Sequence, residues 1–290
     1  MPETVTDMLS RRVKLSNGLS IPQIQLGLYM MSGPETTRSV RWALGAGYRG
    51  FDGAQWYDNE REAGQAILSF LSSSTENTAG LTRENIHFTS KLKDNRTNYD
   101  AVRASIRKSV KECGLGYIDL FLLHSPLGGR EARLTSWKAV EDAVLAGEVK
   151  MAGVSNYGAK HIEELMATEP KVKPVVNQIE CHPFNTQTEI RAACEKYGIV
   201  VEAYAPLARG MRMRDPTLGA VAKKHGVTPA QVLVRWSLQK GFVTLPKSVK
   251  KERLVENADV GGFELADEDV KRLDGLDEKL VTDWDPTDAD

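Results

Sequence analysis

The sequence predicts an α/β protein in which eight parallel strands close into a (β/α)8 TIM barrel. Eight short apolar or β-branched segments alternate with helical segments over 290 residues. Most of these segments are continuously apolar, as in parallel strands that are buried on both faces. We place them at residues 24–28, 50–52, 87–91, 119–124, 151–155, 175–180, 199–204 and 242–245. An open, doubly wound sheet is the alternative for the same order of elements.

Glycines indicate where the helices end. Five amphipathic segments run into a glycine directly before an apolar segment, at the position where a helix often takes a left-handed residue. The helix-ending glycines are Gly45 or Gly47, Gly114, Gly147, Gly198 and Gly241. In one of these segments Val102, Ile106 and Val110 recur every fourth residue and form an apolar helical face. The repeated order of helix, glycine and strand supports the barrel.

Two segments lie outside the predicted repeat. Residues 12–22 contain Asn17-Gly18 between short alternating runs, which indicates a β-hairpin. We expect this hairpin to close the bottom of the barrel. Residues 277–290 form a C-terminal tail, and no linker-like segment divides the chain. We therefore expect residues 1–290 to fold as one barrel domain.

Composition excludes several classes of protein. The chain has 38 basic and 39 acidic residues, so charge gives no indication of a nucleic-acid or membrane-surface partner. Three cysteines without CxxC spacing argue against a disulfide framework and fit a reducing compartment. The N-terminal segment lacks the apolar run of a signal peptide. We expect a cytoplasmic protein, and nothing in the sequence requires more than a monomer.

One literal motif match is rejected. GAGYRG, at residues 45–50, fits the G-x-G-x-x-G pattern of dinucleotide-binding folds. That motif has to follow a strand and begin a helix, so that the helix N-terminus meets the pyrophosphate. Here the glycines end a helix and lead into a strand. We interpret the segment as a turn from helix to strand.

Polar residues follow the predicted strands at the end where a barrel of this kind carries its chemistry. A lone histidine after an apolar strand is more often structural than functional. Seven strands that all end in polar residues indicate one convergent site. These residues are Asp52 with Tyr57 just beyond it, Lys91, His124, Ser155, Asn156, Gln178, Tyr204, Lys247 and Ser248.

This set of side chains suits the reduction of a carbonyl group. It contains no cysteine or serine beside a base, and no cluster with the spacing of metal ligands. We expect residues 181–183, CHP, to have a structural role or to form a loop contact. A free tyrosine titrates near pH ~10, and a nearby lysine lowers that pKa by stabilising the phenolate. A neutral histidine can polarise a carbonyl oxygen by hydrogen bonding.

The sequence resembles the aldo-keto reductase superfamily over nearly its whole length. The segments that carry the resemblance occur in the family's order: GYRGFDGAQWYDNE, TSKL, LLHSP, GVSNY, NQIECHPF, AYAPLARG and LPKSVKKERLVEN. The resemblance implies an NADPH-dependent reduction of aldehydes or ketones, with NADH as a weaker alternative cofactor. It also implies a catalytic tetrad of Asp52, Tyr57, Lys91 and His124, in which Tyr57 is the general acid.

The resemblance further implies that NADPH lies extended across the barrel mouth. Tyr204 would stack on the nicotinamide, and Ser155, Asn156 and Gln178 would hydrogen-bond its carboxamide. The remaining cofactor-binding residues implied are Leu207, Lys247, Ser248, Val249, Arg253, Glu256 and Asn257. Lys247, Ser248 and Arg253 would hold the 2′-phosphate, and cations beside a hydroxyl suit such a group.

Departures from the family pattern concern the pocket. Gly50 and Gly53 replace a frequent histidine and threonine, and we expect Gly50 to affect packing and Gly53 to loosen the turn that carries Tyr57. We expect Tyr29, Trp56, His124 and Trp284 to contact the substrate. Short loops indicate an open pocket with broad tolerance for carbonyl compounds. The alternative function is a cofactor-binding regulatory or redox-sensing subunit of a larger complex, a role that some relatives with this fold have.

Overall fold

Eight parallel strands form a barrel in the computed structural model, which describes residues 3–290. Neighbouring strands of the sheet follow one another in sequence order from β3 to β10. Two further strands, β1 and β2, form an antiparallel hairpin before them. The strands are β1 (Arg12–Lys14), β2 (Ser20–Pro22), β3 (Leu26–Gly27), β4 (Gly50–Asp52), β5 (His87–Leu92), β6 (Ile118–Leu123), β7 (Val149–Ser155), β8 (Val176–Glu180), β9 (Val200–Tyr204) and β10 (Val243–Leu245).

The first and last strands of the sheet close the barrel. Ile24 and Thr244 form a parallel bridge, and the amide of Gln25 donates to the carbonyl oxygen of Thr244 at 3.0 Å. The amide of Gly27 donates to Pro246 at 3.2 Å, one step further along. Closure leaves no free sheet edge, and this excludes the open doubly wound sheet. The predicted TIM barrel is therefore confirmed.

Helices surround the barrel and cover its outer face. Between strands and helices lies the main apolar core, to which Phe51, Phe88 and Phe121 contribute fully buried rings. The helices are α1 (Val5–Ser10), α2 (Gly33–Ala46), α3 (Glu60–Ser72), α4 (Tyr99–Cys113), α5 (Gly129–Leu145), α6 (Ala159–Met166), α7 (Thr188–Tyr197), α8 (Pro216–His225), α9 (Pro229–Gln239), α10 (Lys251–Ala258) and α11 (Asp267–Asp274). No helix within residues 3–290 has both the length and the apolar character needed to cross a membrane.

Glycine conformations agree with the predicted helix ends. Of the two candidates at the end of α2, Gly47 takes the left-handed conformation, with φ of 107°, whereas Gly45 lies inside the helix. Gly114 and Gly198 end α4 and α7 in the same conformation. Each turn brings the chain directly back to the next strand of the barrel.

The hairpin packs into the barrel, as expected from residues 12–22. Leu15 and Ile21, which are almost fully buried, join a second apolar cluster with Leu120, Leu122 and Met151 from the neighbouring barrel strands. Apolar contacts of this kind fill the barrel interior on the hairpin side. The polar side chains at the strand ends are thereby left to the opposite mouth.

Candidate active site

The polar residues that follow the strands line one cavity of about 990 Å³. This volume is at the upper end of the range of roughly 300–1,000 Å³ found for small-molecule sites. The predicted residues that line it are Tyr29, Asp52, Trp56, Tyr57, His124, Ser155, Asn156, Gln178, Tyr204, Leu207, Lys247, Ser248, Arg253, Glu256, Asn257 and Trp284. Lys91 lies buried beneath the cavity. Val249 does not line it and packs against the apolar core instead.

Strand register brings Asp52 and Lys91 together. Asp52 on β4 is paired with Thr89 on β5, and Lys91 lies two residues further along β5. Residues two apart in a strand point to the same face, which here is the barrel interior. The Lys91 Nζ lies 2.8 Å from Oδ2 of Asp52, and neither side chain is more than 5% exposed. The two charges therefore form a buried ion pair.

Lys91 uses all three of its ammonium protons. Besides Asp52, it donates to the carbonyl oxygen of Gly53 at 2.8 Å and to the phenolic oxygen of Tyr57 at 3.2 Å. An ammonium group has three donors and no acceptor. The Tyr57 hydroxyl proton therefore points away from Lys91.

The turn that carries Tyr57 is held from both sides. Gln55 donates to the hydroxyl oxygens of Ser105 and Ser109 on α4, and it accepts from the amide of Lys93. Gly53, where we expect a looser turn, is held by two hydrogen bonds. Its backbone N–H donates to the carbonyl oxygen of Thr89, and its own carbonyl oxygen accepts from Lys91. A Cβ at Gly53 would lie 3.3 Å from Phe88, so the missing side chain also allows close packing.

Burial raises the pKa of Tyr57 well above its usual value, and the nearby Asp52 raises it further. This is the reverse of the direction expected from Lys91 alone. The larger cause is the burial of the phenol, and the negative charge of Asp52, which pairs with Lys91, acts in the same direction. Tyr57 is consequently protonated at neutral pH, which is the state needed to donate a proton.

His124 is neutral in its surroundings. Burial lowers the pKa of its imidazole well below the usual value, and the positive charge of Lys91 lowers it further. Its Nδ1 is buried and has no partner among the described residues. The tautomer with hydrogen on Nε2 avoids burying an unpaired N–H at Nδ1. Its ring lies 5.7 Å from that of Tyr57, which places two donors beside the same space.

A chain of polar contacts continues from the tetrad along the mouth. Tyr204 donates its hydroxyl to Asn156 Oδ1 at 2.8 Å. Asn156 donates to the carbonyl oxygen of His124 at 3.0 Å, and Ser155 donates to that of Gln178 at 2.8 Å. These are the residues that the family resemblance assigns to the nicotinamide, and a hydrogen bond from Asn156 to Ser155 at 3.2 Å joins them into one group.

Cationic residues line the far end of the cavity. Lys247 and Arg253 lie there with Ser248, which accepts a hydrogen bond from the amide of Lys250. Helix α10 begins here, and no side chain of the described residues caps the amides of its first turn. Free helix N-terminal amides and two cations form a site that attracts anions.

Aromatic side chains form the wall around the tetrad. Trp56 and Trp284 are stacked, with ring centroids 6.2 Å apart and planes at 18°. The ring centroid of Tyr29 lies 5.1 Å from that of Tyr57. Trp284 reaches this wall from the C-terminal tail and lines the cavity.

The sequence did not indicate how the tail is fixed. Asp283 accepts a hydrogen bond from the Tyr29 hydroxyl at 3.0 Å and pairs with Arg209 at 2.5 Å. Glu180 accepts from the amide of Thr282, and His182 of the CHP segment hydrogen-bonds Glu180 at 2.9 Å. That histidine therefore has the structural role we expected. No periodicity connects residues so distant along the chain, and only the fold brings them together.

Glu202 and Gln25 also belong to the site, although no motif in the sequence points to them. Glu202 interrupts the apolar segment of β9, and a charged residue inside a buried strand was the available signal. Its carboxylate accepts from the side-chain amides of Gln178 at 3.0 Å and Gln25 at 3.2 Å. No group of three His, Cys, Asp or Glu side chains in the described part of the chain lies close enough to hold a metal ion.

Comparison with known proteins gives matches over nearly the whole chain. The model of the aldo/keto reductase family matches residues 23–278. An uncharacterised oxidoreductase of Schizosaccharomyces pombe is 47% identical over 279 residues, with 96% of this chain and 98% of that protein covered. The glyoxal reductase of Bacillus subtilis is 39% identical, with 95% of both chains covered. The solved structure of a Bombyx mori aldo-keto reductase in complex with NADP has a TM-score of 0.86 and 32% identity, again with 95% of both chains covered.

Proposed function

The chain belongs to the aldo/keto reductase family, and we propose that it reduces aldehydes or ketones to alcohols with NADPH. The observation that carries the proposal is the contact of Lys91 with Asp52 and Tyr57. It leaves the Tyr57 proton directed away from Lys91, at a cavity that His124 also lines. Carbonyl substrates are typical of the family.

The cavity fits an extended dinucleotide with a phosphate at one end. It reaches from Tyr57 to Arg253, and its far end combines two cations with the uncapped first turn of α10. Lys247, Ser248 and Arg253 would hold the 2′-phosphate that distinguishes NADPH from NADH. Tyr204 and Asn156 would hold the nicotinamide end. When bound, NADPH supplies a hydride to the carbonyl carbon.

Tyr57 protonates the carbonyl oxygen as negative charge develops on it. Lys91, next to the phenolic oxygen, stabilises the charge left on Tyr57 after the proton has moved. Asp52 pairs with the Lys91 Nζ at 2.8 Å and holds it in place. His124 donates a hydrogen bond to the same carbonyl oxygen through its Nε2–H and so orients the substrate. General acid catalysis of this kind contributes typically about 10²–10⁴-fold.

The aromatic wall sets which carbonyl compounds enter. Trp56, Trp284 and Tyr29 offer flat apolar surfaces, and the cavity is large. We therefore expect the enzyme to accept bulky as well as small carbonyl compounds. Strict preference for one small aldehyde would contradict this expectation.

A panel of aldehydes and ketones tests the proposed function. Consumption of NADPH is followed by its absorbance, and the alcohols are identified with their stereochemistry. We expect consumption with several compounds. Tight binding of NADPH without consumption in any reaction would overturn the proposal and favour the regulatory role.

A further inference from the structure

A fully buried carboxylate lies beneath the tetrad and takes no part in the proton transfer. Glu202 is 0% exposed, in the middle of β9. No cation lies within salt-bridge distance of it among the described residues, and its hydrogen-bond partners are two amides. A buried carboxylate without a paired cation is costly. The two amide contacts of Glu202 are therefore the feature that has to be explained.

Glu202 and Asp52 share the amide of Gln178. The Gln178 Nε2 donates to Oδ1 of Asp52 at 2.8 Å and to Oε2 of Glu202 at 3.0 Å. A primary amide has two N–H donors, and both are used here. Two carboxylates on the nitrogen side leave Oε1 of Gln178 on the opposite side of the amide. That oxygen is an acceptor suited to the NH₂ group of a carboxamide.

Gln25 completes the arrangement from the other side. Its Nε2 donates to Oε1 of Glu202 at 3.2 Å and to the carbonyl oxygen of Pro22. Its side chain occupies space beside Gly50, because a Cβ at Gly50 would lie only 2.5 Å from Gln25 Cγ. Gly50, which departs from the family pattern, therefore makes room for the glutamine that contacts Glu202. Gly50, Gln25 and Glu202 therefore form one connected local arrangement.

We propose that Glu202 is a positioning residue that fixes the orientation of the Gln178 amide, and through it the acceptor presented to the nicotinamide carboxamide. This inference rests on the proposed function. Glu202 acts through Gln178 and does not touch the reacting atoms. The charged groups that act on its carboxyl group are Asp52 on β4 and Lys91 on β5. Burial raises the pKa of Glu202 to about 7, and the negative charge of Asp52 adds to this.

Glutamine is a conservative replacement for Glu202. The amide introduced by Glu202→Gln can accept from Gln178 through its oxygen and donate through its nitrogen to Gln25. The Oε1 of Gln25 is buried without a partner among the described residues, so rotation of the Gln25 amide would present it as the acceptor. Glu202→Leu removes both hydrogen bonds. The two variants therefore separate the orientation of Gln178 from the mere presence of a side chain.

The experiment measures the Kd for NADPH by fluorescence titration, together with kcat and KM. We expect Glu202→Leu to raise the Kd about tenfold, the order expected when one hydrogen bond is lost, and to raise KM more than it lowers kcat. Glu202→Gln is expected to stay within about threefold of the wild type, because it retains the hydrogen bond to Gln178. Glu141→Gln, which alters a buried carboxylate on α5 outside the cavity, is the matched control. Glu202→Thr replaces Glu202→Leu if the latter does not fold.

A double-mutant cycle tests whether the effect passes through Gln178. In a Gln178→Ala background, Glu202→Leu is expected to change the Kd no further. Wild-type affinity in Glu202→Leu, or equal loss in Glu202→Leu and Glu202→Gln, would overturn the proposal, as would full additivity in the cycle. If the wild-type chain binds NADPH but reduces no carbonyl compound, the proposed function fails while the binding comparison still decides the role of Glu202.

Discussion

The Nζ of Lys91 lies 3.2 Å from the phenolic oxygen of Tyr57, and its other two protons go to Asp52 and Gly53. The lysine is therefore held in place before any substrate arrives. Its contact with Tyr57 orients the hydroxyl proton away from the ion pair. This relationship makes Tyr57 the residue whose replacement is most informative.

Tyr57→Phe removes the proton donor and keeps the ring. We expect the turnover number to fall by roughly 10³-fold, within the range of general acid catalysis, while the Kd for NADPH stays within a factor of about two. Absorbance of NADPH at saturating substrate measures the first quantity and fluorescence titration the second. Tyr197→Phe, at the half-buried end of α7 and outside the cavity, is the control. A variant that retains most of its activity would exclude Tyr57 as the acid.

Arg253→Ala is expected to weaken NADPH and leave NADH almost unchanged. A hydrogen bond to a charged group contributes about 1.5–3 kcal/mol, so KM for NADPH should rise roughly 10- to 100-fold. Activity with both cofactors is measured in the wild type and the variant. Lys271→Ala removes an exposed cation on α11 and serves as the control. Equal effects on NADPH and NADH would show that Arg253 does not contact the 2′-phosphate.

Trp284→Ala opens the wall opposite Tyr57. The stacked contact with Trp56 is lost, and an aromatic pair contributes about 0.5–1.5 kcal/mol beyond its buried area. We expect KM for aromatic aldehydes to rise about two- to tenfold at similar kcat, with little change for a small aliphatic aldehyde. Leu145→Ala truncates an exposed apolar residue outside the cavity and is the matched control. Equal effects on both aldehydes would argue against a substrate contact.

Buried histidines make the fold sensitive to acid. Burial lowers the pKa of His87 from 6.5 to about 4, so the unfolded chain binds a proton at a higher pH than the folded chain does. The free energy of unfolding is therefore unaffected above pH 6.5 and falls as the pH drops from 6.5 to about 4. At about 1.4 kcal/mol per pKa unit, the loss is on the order of 3 kcal/mol.

Urea unfolding at several pH values measures this loss in the wild type and in His87→Gln. We expect the variant to lose less stability between pH 6.5 and 4, since it has no imidazole to protonate at this position. The free energy of unfolding at each pH is compared within one protein, so that any packing change caused by the substitution cancels. An unchanged slope in the variant would contradict the burial effect at His87.

Much of the fold and of the tetrad could be predicted from the sequence. Apolar strands, helical periodicity and helix-ending glycines are local signals, and they led to the correct number and order of barrel strands. Asp52, Tyr57, Lys91 and His124 each follow or end a strand in a motif of the family. The family and the barrel are confirmed by the comparisons and the strand topology. The roles of the individual site residues remain predictions.

Other features depend on contacts between residues far apart in the chain. The pKa of Tyr57 rises because folding buries the phenol and brings Asp52 close to it, and this depends on three-dimensional distances. The tail is fixed where Asp283 meets Arg209 and Tyr29, which lies 254 positions away. Glu202 gains its partners only when Gln25 and Gln178 are brought together by barrel closure.

The elements, their order and the residues at the strand ends follow from the chain alone, because local periodicity and motif spacing lie along it. The charges around Tyr57, the contacts that hold the tail at the cavity and the shared amide of Gln178 arise only on folding. Electrostatic and hydrogen-bond energies depend on distances between side chains. Those distances exist only once the first and last strands of the barrel have met.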